Sequence, residues 1–192
     1  MLAPHLTIRP MTELDIPRLA EIRPGFVSPS VLAVERIGTG IEEGWRLVER
    51  TLPEPFDKGG AYDFDQIEQA NIRRRLRQGD GLHLVVEWQG HIAGVLDVTP
   101  QDWNHTALVW NIMLDTAIRR QGIGRTLFWR AVEWARRMGY RALILETQTN
   151  NVPACKFYAA MGCQLEGIRE MFYTNEDVER GEVAIFWAYK LV

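Results

Sequence analysis

The stretch Ile112-Met-Leu-Asp-Thr-Ala-Ile-Arg-Arg-Gln-Gly-Ile-Gly-Arg-Thr-Leu127 decides how this chain is read. Ile112, Met113 and Leu114 end a mostly apolar segment that begins at Ala107 and reads as a strand over 107–114. From Gly122 to Met138 the period changes. Ile123, Leu127, Ala131, Ala135 and Met138 share one helical face, with Arg130, Glu133, Arg136 and Arg137 off it, and Gly139 is the stop. A strand therefore runs through a loop into a helix that opens on Gly122-x-Gly124. Glycines there let backbone approach a ligand closely, and the unpaired N–H groups and positive dipole end suit a phosphate. Arg119, Arg120 and Arg125 add charge that can pair with phosphate oxygens.

Three readings of this loop compete. The plainest is a glycine turn before an ordinary helix, its arginines solvated. The second is a dinucleotide fingerprint, with Glu146 ending the next strand where a ribose-binding acid would sit. Against it, Leu127 stands where the third glycine belongs, and the segment from Leu114 to Gly122 is too long for glycines that follow their strand directly. No lysine follows in P-loop order. The third is a pyrophosphate cradle of the acetyl-coenzyme A type.

Working outward, His5–Pro10 predicts a short strand and Thr12 to Ile22 an amphipathic helix. Residues 24–30 form a turn cluster of Pro24, Gly25, Ser28, Pro29 and Ser30. Val31–Ile37 and Trp45–Leu52 read as a hairpin that Pro53 and Pro55 end. Asp65–Gln78 is a helix stopped by Gly79-Asp80-Gly81, its Arg73-Arg-Arg75 run a solvated face. Leu82–Trp88 and His91–Thr99 pair across Gln89-Gly90. Ala142–Gln148 is a strand, Val152–Met161 a helix ending at Gly162, and Val183–Val192 a final strand. Strands alternating with helices around hairpins indicate an α/β sheet, part parallel and part antiparallel, in a single domain over 1–192.

Composition narrows the function. The 192 residues carry net charge −3 and an estimated pI near 5.8, which argues against a broad cationic surface for nucleic acid. Seven Trp, seven Phe and five Tyr supply enough apolar area to exclude disorder as the main state. The longest apolar run, Val183 to Tyr189, is far short of a membrane span, and the first residues lack a signal-peptide pattern, so a cytoplasmic protein is expected. Cys155 and Cys163 fit no metal or disulfide framework, His5, His83, His91 and His105 are scattered, and no metal site is expected. An exposed final strand can support pairing into a homodimer.

Arg119-Arg-Gln-Gly-Ile-Gly124 resembles the Q/R-x-x-G-x-G/A loop of the GNAT N-acetyltransferases. Asn151-Val-Pro-Ala154-Cys-Lys-Phe157-Tyr158 with Met161-Gly162 is similar to that family's N-x-x-A-x-x-F-Y…G segment. The pair of motifs, with a strand between, is far more specific than either alone. Within the family the chain looks most like the streptothricin acetyltransferases, through Leu145-Glu-Thr-Gln148, Ala154-Cys155, Phe172-Tyr-Thr-Asn175, Glu182 to Trp187, Trp103-Asn104 and the Trp45…Pro53-Glu-Pro55 region. It departs at Trp110-Asn111, where those enzymes tend to have an acidic pair.

The resemblance implies a mixed, largely antiparallel sheet flanked by helices, acetyl-CoA as cosubstrate, and direct transfer of acetyl to a primary amine in a ternary complex. It assigns acetyl-CoA to Ile112, Met113, Leu114, Arg119, Arg120, Gln121, Gly122, Ile123, Gly124, Arg125 and Thr126, with Asn151 and Tyr158 on the cofactor arm. Asn151 also fits a helix N-cap. The acceptor, a streptothricin-like antibiotic or other small amine, falls to Trp103, Asn104, Trp110, Asn111, Glu146 and Glu182, with Asp97 a further candidate. Acetylation of a protein N-terminus or lysine, and a CoA-binding module without chemistry, are the alternatives.

The chemistry sets a proton problem. An amine of pKa about 10.4 is only about 0.04% neutral at pH 7, a penalty of about 4.6 kcal/mol. Glu146, at a strand end, is the candidate base, set against a structural carboxylate. Tyr158 is the candidate acid for the departing thiolate, set against core packing of the kind expected for Phe157.

Overall fold

The computed structural model describes residues 6–59 and 64–192, so His5 lies outside the described residues. In chain order the strands and α-helices are β1 (Leu6–Pro10), β2 (Val27–Ile37), β3 (Gly44–Asp57), α1 (Gln66–Gln78), β4 (Leu82–Trp88), β5 (His91–Gln101), β6 (Thr106–Leu114), α2 (Ile123–Arg137), β7 (Ala142–Gln148), α3 (Val152–Ala160), β8 (Gln164–Arg169) and β9 (Ala184–Lys190). The chain divides into two compact units. One holds Met1–Gly25, Gly59–Ile144 and Lys190–Val192; the other holds Phe26–Lys58 and Leu145–Tyr189.

In the first unit β1, β4, β5 and β6 lie side by side in that order, each pair antiparallel. Gln89 at φ 51° and Gly90 at φ 81° make the two-residue turn between β4 and β5 that right-twisted strands require. Gly94 on β5 faces Leu114, where a Cβ would come within 2.6 Å of the Leu114 side chain. Ile16, Leu19, Ile72, Val85 and Val95 are fully buried in the core. Asp65 caps α1 by accepting from the Glu68 N–H at 2.8 Å, and Gly79 at φ 74° ends it.

Three expectations for this unit change. The first helix is a 3-10 helix, Glu13–Glu21, because Pro17 inside it removes a donor and clashes with the carbonyl an α-helix would place four residues back. Met138 leaves the buried face of α2, being the residue that caps the helix, and is 48% exposed. Arg75 is no solvated residue: it is 4% exposed.

In the second unit β2 and β3 form a two-stranded ribbon, paired from Ile37↔Gly44 to Val27↔Asp57. The turn cluster expected at 24–30 therefore gives way to strand from Val27 onward, and Pro53 and Pro55 do not end the hairpin. Ser30 pairs Thr51 while Ser28 pairs Phe56, so both prolines fall inside the register shift, where no ladder N–H is needed. β7, β9 and β8 lie in that order, with β8 antiparallel to β9. β8 has no counterpart in the sequence reading, since Gln164, Leu165 and Glu166 are all exposed and show no alternation.

Candidate active site

The loop after β6 is built as an anion cradle. Asp115 accepts from the N–H groups of Ala117 at 2.8 Å and Arg23 at 3.1 Å, while Ile118 is fully buried; together they pin the chain after the strand. Arg120 takes φ 60° and Gly122 φ 82°, the left-handed region that turns successive N–H groups inward. Gly122 is the N-cap of α2 and offers no side chain to cap it. The first intrahelical bond is Thr126 N–H to the Gly122 carbonyl at 3.0 Å, leaving the earlier N–H groups for a ligand. Nothing lies within 4 Å of where a Gly122 Cβ would sit, so open space faces that backbone. This donor set fits a pyrophosphate.

The side chains divide the work differently from the sequence expectation. Arg119 does not point its charge at a phosphate: its guanidinium donates to the carbonyls of Leu114 at 2.9 Å, Gly25 at 2.8 Å and Pro24. It clamps the loop. Arg120, Gln121 and Arg125 are exposed, whereas Ile123 is buried and leaves only its backbone for a ligand. The Thr126 hydroxyl donates to the Gly122 carbonyl at 3.2 Å. Ile112, Met113 and Leu114 are half-buried at the end of β6.

Also in the first unit, Asp97 pairs Asn111 while Val98 pairs Val109, so Trp110 is the extra residue of a bulge. Trp110 and Asn111 consequently both reach α1. The Trp110 indole donates to Thr99 Oγ1 at 2.8 Å under the Arg75 guanidinium, 4.8 Å from the ring centroid. Asn111 Nδ2 donates to Glu68 at 3.2 Å. Arg75 also donates to Glu68 and Asp97, and His83 Nδ1 lies 2.8 Å from the other Asp97 oxygen. Asp97 is thus fully buried and committed, which removes it as an acceptor contact. Trp103 and Asn104 stand apart, in the turn between β5 and β6, where Asn104 accepts from the Thr106 hydroxyl. Five strand residues, Thr106 to Trp110, lie between His105 and Asn111.

The second unit gathers the acids. Glu146 accepts a short hydrogen bond from the Tyr173 hydroxyl, and Gln148 donates to the same hydroxyl at 3.0 Å. Lys58 forms an ion pair with Glu182. Burial raises the Glu146 pKa above the usual carboxylate range, and the nearby Glu182 charge adds to the rise. The Tyr173 hydrogen bond and the Lys58 charge oppose it. Burial and the Glu146 carboxylate together hold Tyr173 firmly protonated. Glu182 thus acts on Glu146 through its charge alone, its carboxylate being paired with Lys58.

Tyr158 lies on the buried face of α3 with Val152 and Cys155, its ring 6.3 Å from Trp187. Asn151 caps α3, accepting from Ala154 N–H at 3.2 Å. Its neighbour Asn150 has both amide atoms buried with no hydrogen-bond partner among the described residues. Among those residues no group of three His, Cys, Asp or Glu could hold a metal, and no helix is long and apolar enough to cross a membrane.

A model of the acetyltransferase (GNAT) family matches residues 42–163. The chain belongs to the GNAT acetyltransferases. It is 29% identical over 146 residues to streptothricin acetyltransferase A of Bacillus subtilis (strain 168), a span of 76% of this chain and 80% of that protein. The crystal structure of nourseothricin acetyltransferase matches with TM-score 0.78 at 26% identity, covering 98% of this chain and 99% of that one. A Bacillus anthracis str. Ames acetyltransferase, solved in complex with acetyl coenzyme A, shares the fold with TM-score 0.75 at 24% identity over 96% and 97% of the two chains. The GNAT protein described here is an acetyl-CoA-dependent N-acetyltransferase with the mixed, mostly antiparallel sheet of that family.

Sequence reasoning gave no role to Tyr173, Asp177, Lys58 or Asn150. Tyr173 carried a signal in Phe172-Tyr-Thr-Asn175, which was noted only as a resemblance. Lys58 carried none, because its partner Glu182 is 124 residues away.

Proposed function

We propose that the enzyme acetylates a small cationic amine of the streptothricin class by direct transfer, with Glu146 as base and Tyr158 as acid. The observation that carries this reading is the half-buried Glu146 carboxylate on β7, held by the Tyr173 hydroxyl and raised in pKa by burial, an acid placed to meet an ammonium acceptor. The likeness to streptothricin acetyltransferase A over 76% of the chain supports the substrate class.

In this mechanism the backbone N–H groups from Gly122 to Arg125 hold the pyrophosphate, with Arg120 and Arg125 adding charge and Asn151 on the cofactor arm. The acceptor loses its proton to Glu146, whose raised pKa makes it a stronger base than an ordinary carboxylate. The freed amine attacks the acetyl carbonyl carbon. The C–S bond then breaks, the thiolate takes the Tyr158 phenolic proton, and the second proton leaves the nitrogen for the Tyr158 phenolate, so that a neutral amide, a thiol and the phenol result. Two free, buried cysteines suit the reducing cytoplasm in which we place the enzyme.

The test is acetyl-CoA turnover over a panel of streptothricin, simple diamines, and peptides with free N-termini. Transfer to streptothricin at the highest kcat/KM is expected. Transfer confined to peptide N-termini, or acetyl-CoA binding without acetylation of any amine, overturns the reading.

A further inference from the structure

Glu146 and Gln148 are two residues apart on β7 and project from the same side of the strand. Tyr173 bridges them. Its hydroxyl donates to Glu146 and accepts from Gln148 Nε2 at 3.0 Å. The segment that carries Tyr173 is itself fixed: the backbone N–H groups of Phe172, Tyr173 and Thr174 all donate to Asp177, at 2.9, 2.9 and 2.8 Å. The Thr174 hydroxyl adds a fourth bond at 2.7 Å, and Asp177 is 1% exposed. Phe172 packs edge-on to Phe186, with ring centroids 5.5 Å apart. An exposed turn that served only to connect β8 to β9 would not need four bonds to one buried carboxylate.

We propose that Tyr173 is a positioning residue for acetyl transfer, holding the Glu146 carboxylate in the single orientation from which it takes the acceptor's proton. This rests on the reading of Glu146 as the base. A carboxylate free to rotate about its side-chain torsions would spend only a fraction of its time in the productive geometry. A donor on one oxygen removes that freedom while leaving the other oxygen for the proton. Among the described residues, the charged and titratable groups that bear on Glu146 are Tyr173, Lys58 just after β3, and Glu182 before β9, and the Tyr173 hydroxyl donates to it.

The experiment compares the pH dependence of kcat for the wild type, Tyr173→Phe, Glu146→Gln and the double variant, at saturating acetyl-CoA. Phe keeps the ring and its contact with Phe172. The expected result is a drop in kcat of about tenfold for Tyr173→Phe, with KM for acetyl-CoA unchanged. Loss of a donor to the ionised form should move its acidic limb to higher pH, by about half a unit or more. The double variant should be no slower than Glu146→Gln. An acidic limb that persists in Glu146→Gln removes the base assignment, and the positioning role falls with it. If Glu146→Gln loses the limb while Tyr173→Phe leaves it in place, or if the two losses multiply, only the positioning role falls. Should Tyr173→Phe melt early, Gln148→Met weakens the same hydroxyl as a donor. It is expected to move the limb in the same direction by less, and an unmoved limb there overturns the proposal.

Discussion

Arg75 and Asp97 form an ion pair sealed in the first unit, with Arg75 4% exposed, Asp97 fully buried and their closest atoms 2.7 Å apart. Two charges in such a place are tolerated only when the charged atoms themselves are paired and hydrogen-bonded. Here Glu68 takes a second guanidinium bond, His83 meets the other Asp97 oxygen, and the Trp110 ring lies beneath the cation. Gly81 leaves the space, since a Cβ there would come within 2.5 Å of His83 Nε2. The network ties α1 to the bulge of β6.

Removing one member should therefore be costly. Asp97→Ala strands the Arg75 charge, and a loss of about 3–5 kcal/mol is expected from the denaturant midpoint, with the slope unchanged. Arg77→Ala, which breaks an exposed pair with Glu13, should leave the midpoint almost where it was. Equal effects from the two would show that the buried network adds nothing beyond surface pairing.

The phosphate loop separates its arginines by task. Arg119 is bonded to backbone carbonyls, so Arg119→Ala should lower thermal stability as well as raise KM for acetyl-CoA. Arg125 is exposed beside the helix start, so Arg125→Ala should raise that KM several-fold without moving the melting temperature. Its effect should shrink in high salt, as a screened phosphate contact does. A salt-independent effect would argue for a packing role.

Most of the framework was legible in the sequence because it obeys local rules. The Gln89-Gly90 turn, the Gly79 stop and the glycine loop before α2 each depend on residues within a few positions of one another. The Asn151 cap and the helix it opens were legible because their residues are contiguous. Other features were hidden where the decisive contact is remote. Arg75 looked like one of three solvated arginines, and only the arrival of Asp97 from another strand makes it a core residue. Pro53 and Pro55 looked like strand breakers because their register shift against Ser28 and Ser30 depends on the partner strand.

Tyr158 offers a clean separation of packing from chemistry. Tyr158→Phe keeps the ring against Trp187 and removes only the proton donor. The expected loss in kcat is about 10²-fold or more, with KM for acetyl-CoA little changed and the melting temperature held. Turnover within twofold of wild type would assign the ring to the core alone.

Cys155 and Cys163 should be inert. Burial pushes both thiols up to about 12, so the thiolate is scarce at neutral pH. An aromatic disulfide reagent is expected to titrate both in denaturant and neither in the folded enzyme over minutes. Rapid labelling of one folded-state thiol, with loss of activity, would reopen a nucleophilic role.

Glu146 should weaken the fold in return for its basicity. Its pKa is raised in the folded enzyme, so the folded chain binds the Glu146 proton more tightly than the unfolded one. The slope of stability with pH is then negative through the interval from the unfolded to the folded pKa, and the full deficit remains above it. Glu146→Gln removes the buried charge while keeping an oxygen that can accept from Tyr173. The variant is expected to melt higher than the wild type at pH 7–8, with the gap closing as the pH falls below the ordinary carboxylate range. The measurement is the melting temperature of both proteins across that span. A gap that stays constant with pH, or a variant less stable at neutral pH, would mean that the Glu146 charge is well solvated and its pKa not raised in the folded enzyme.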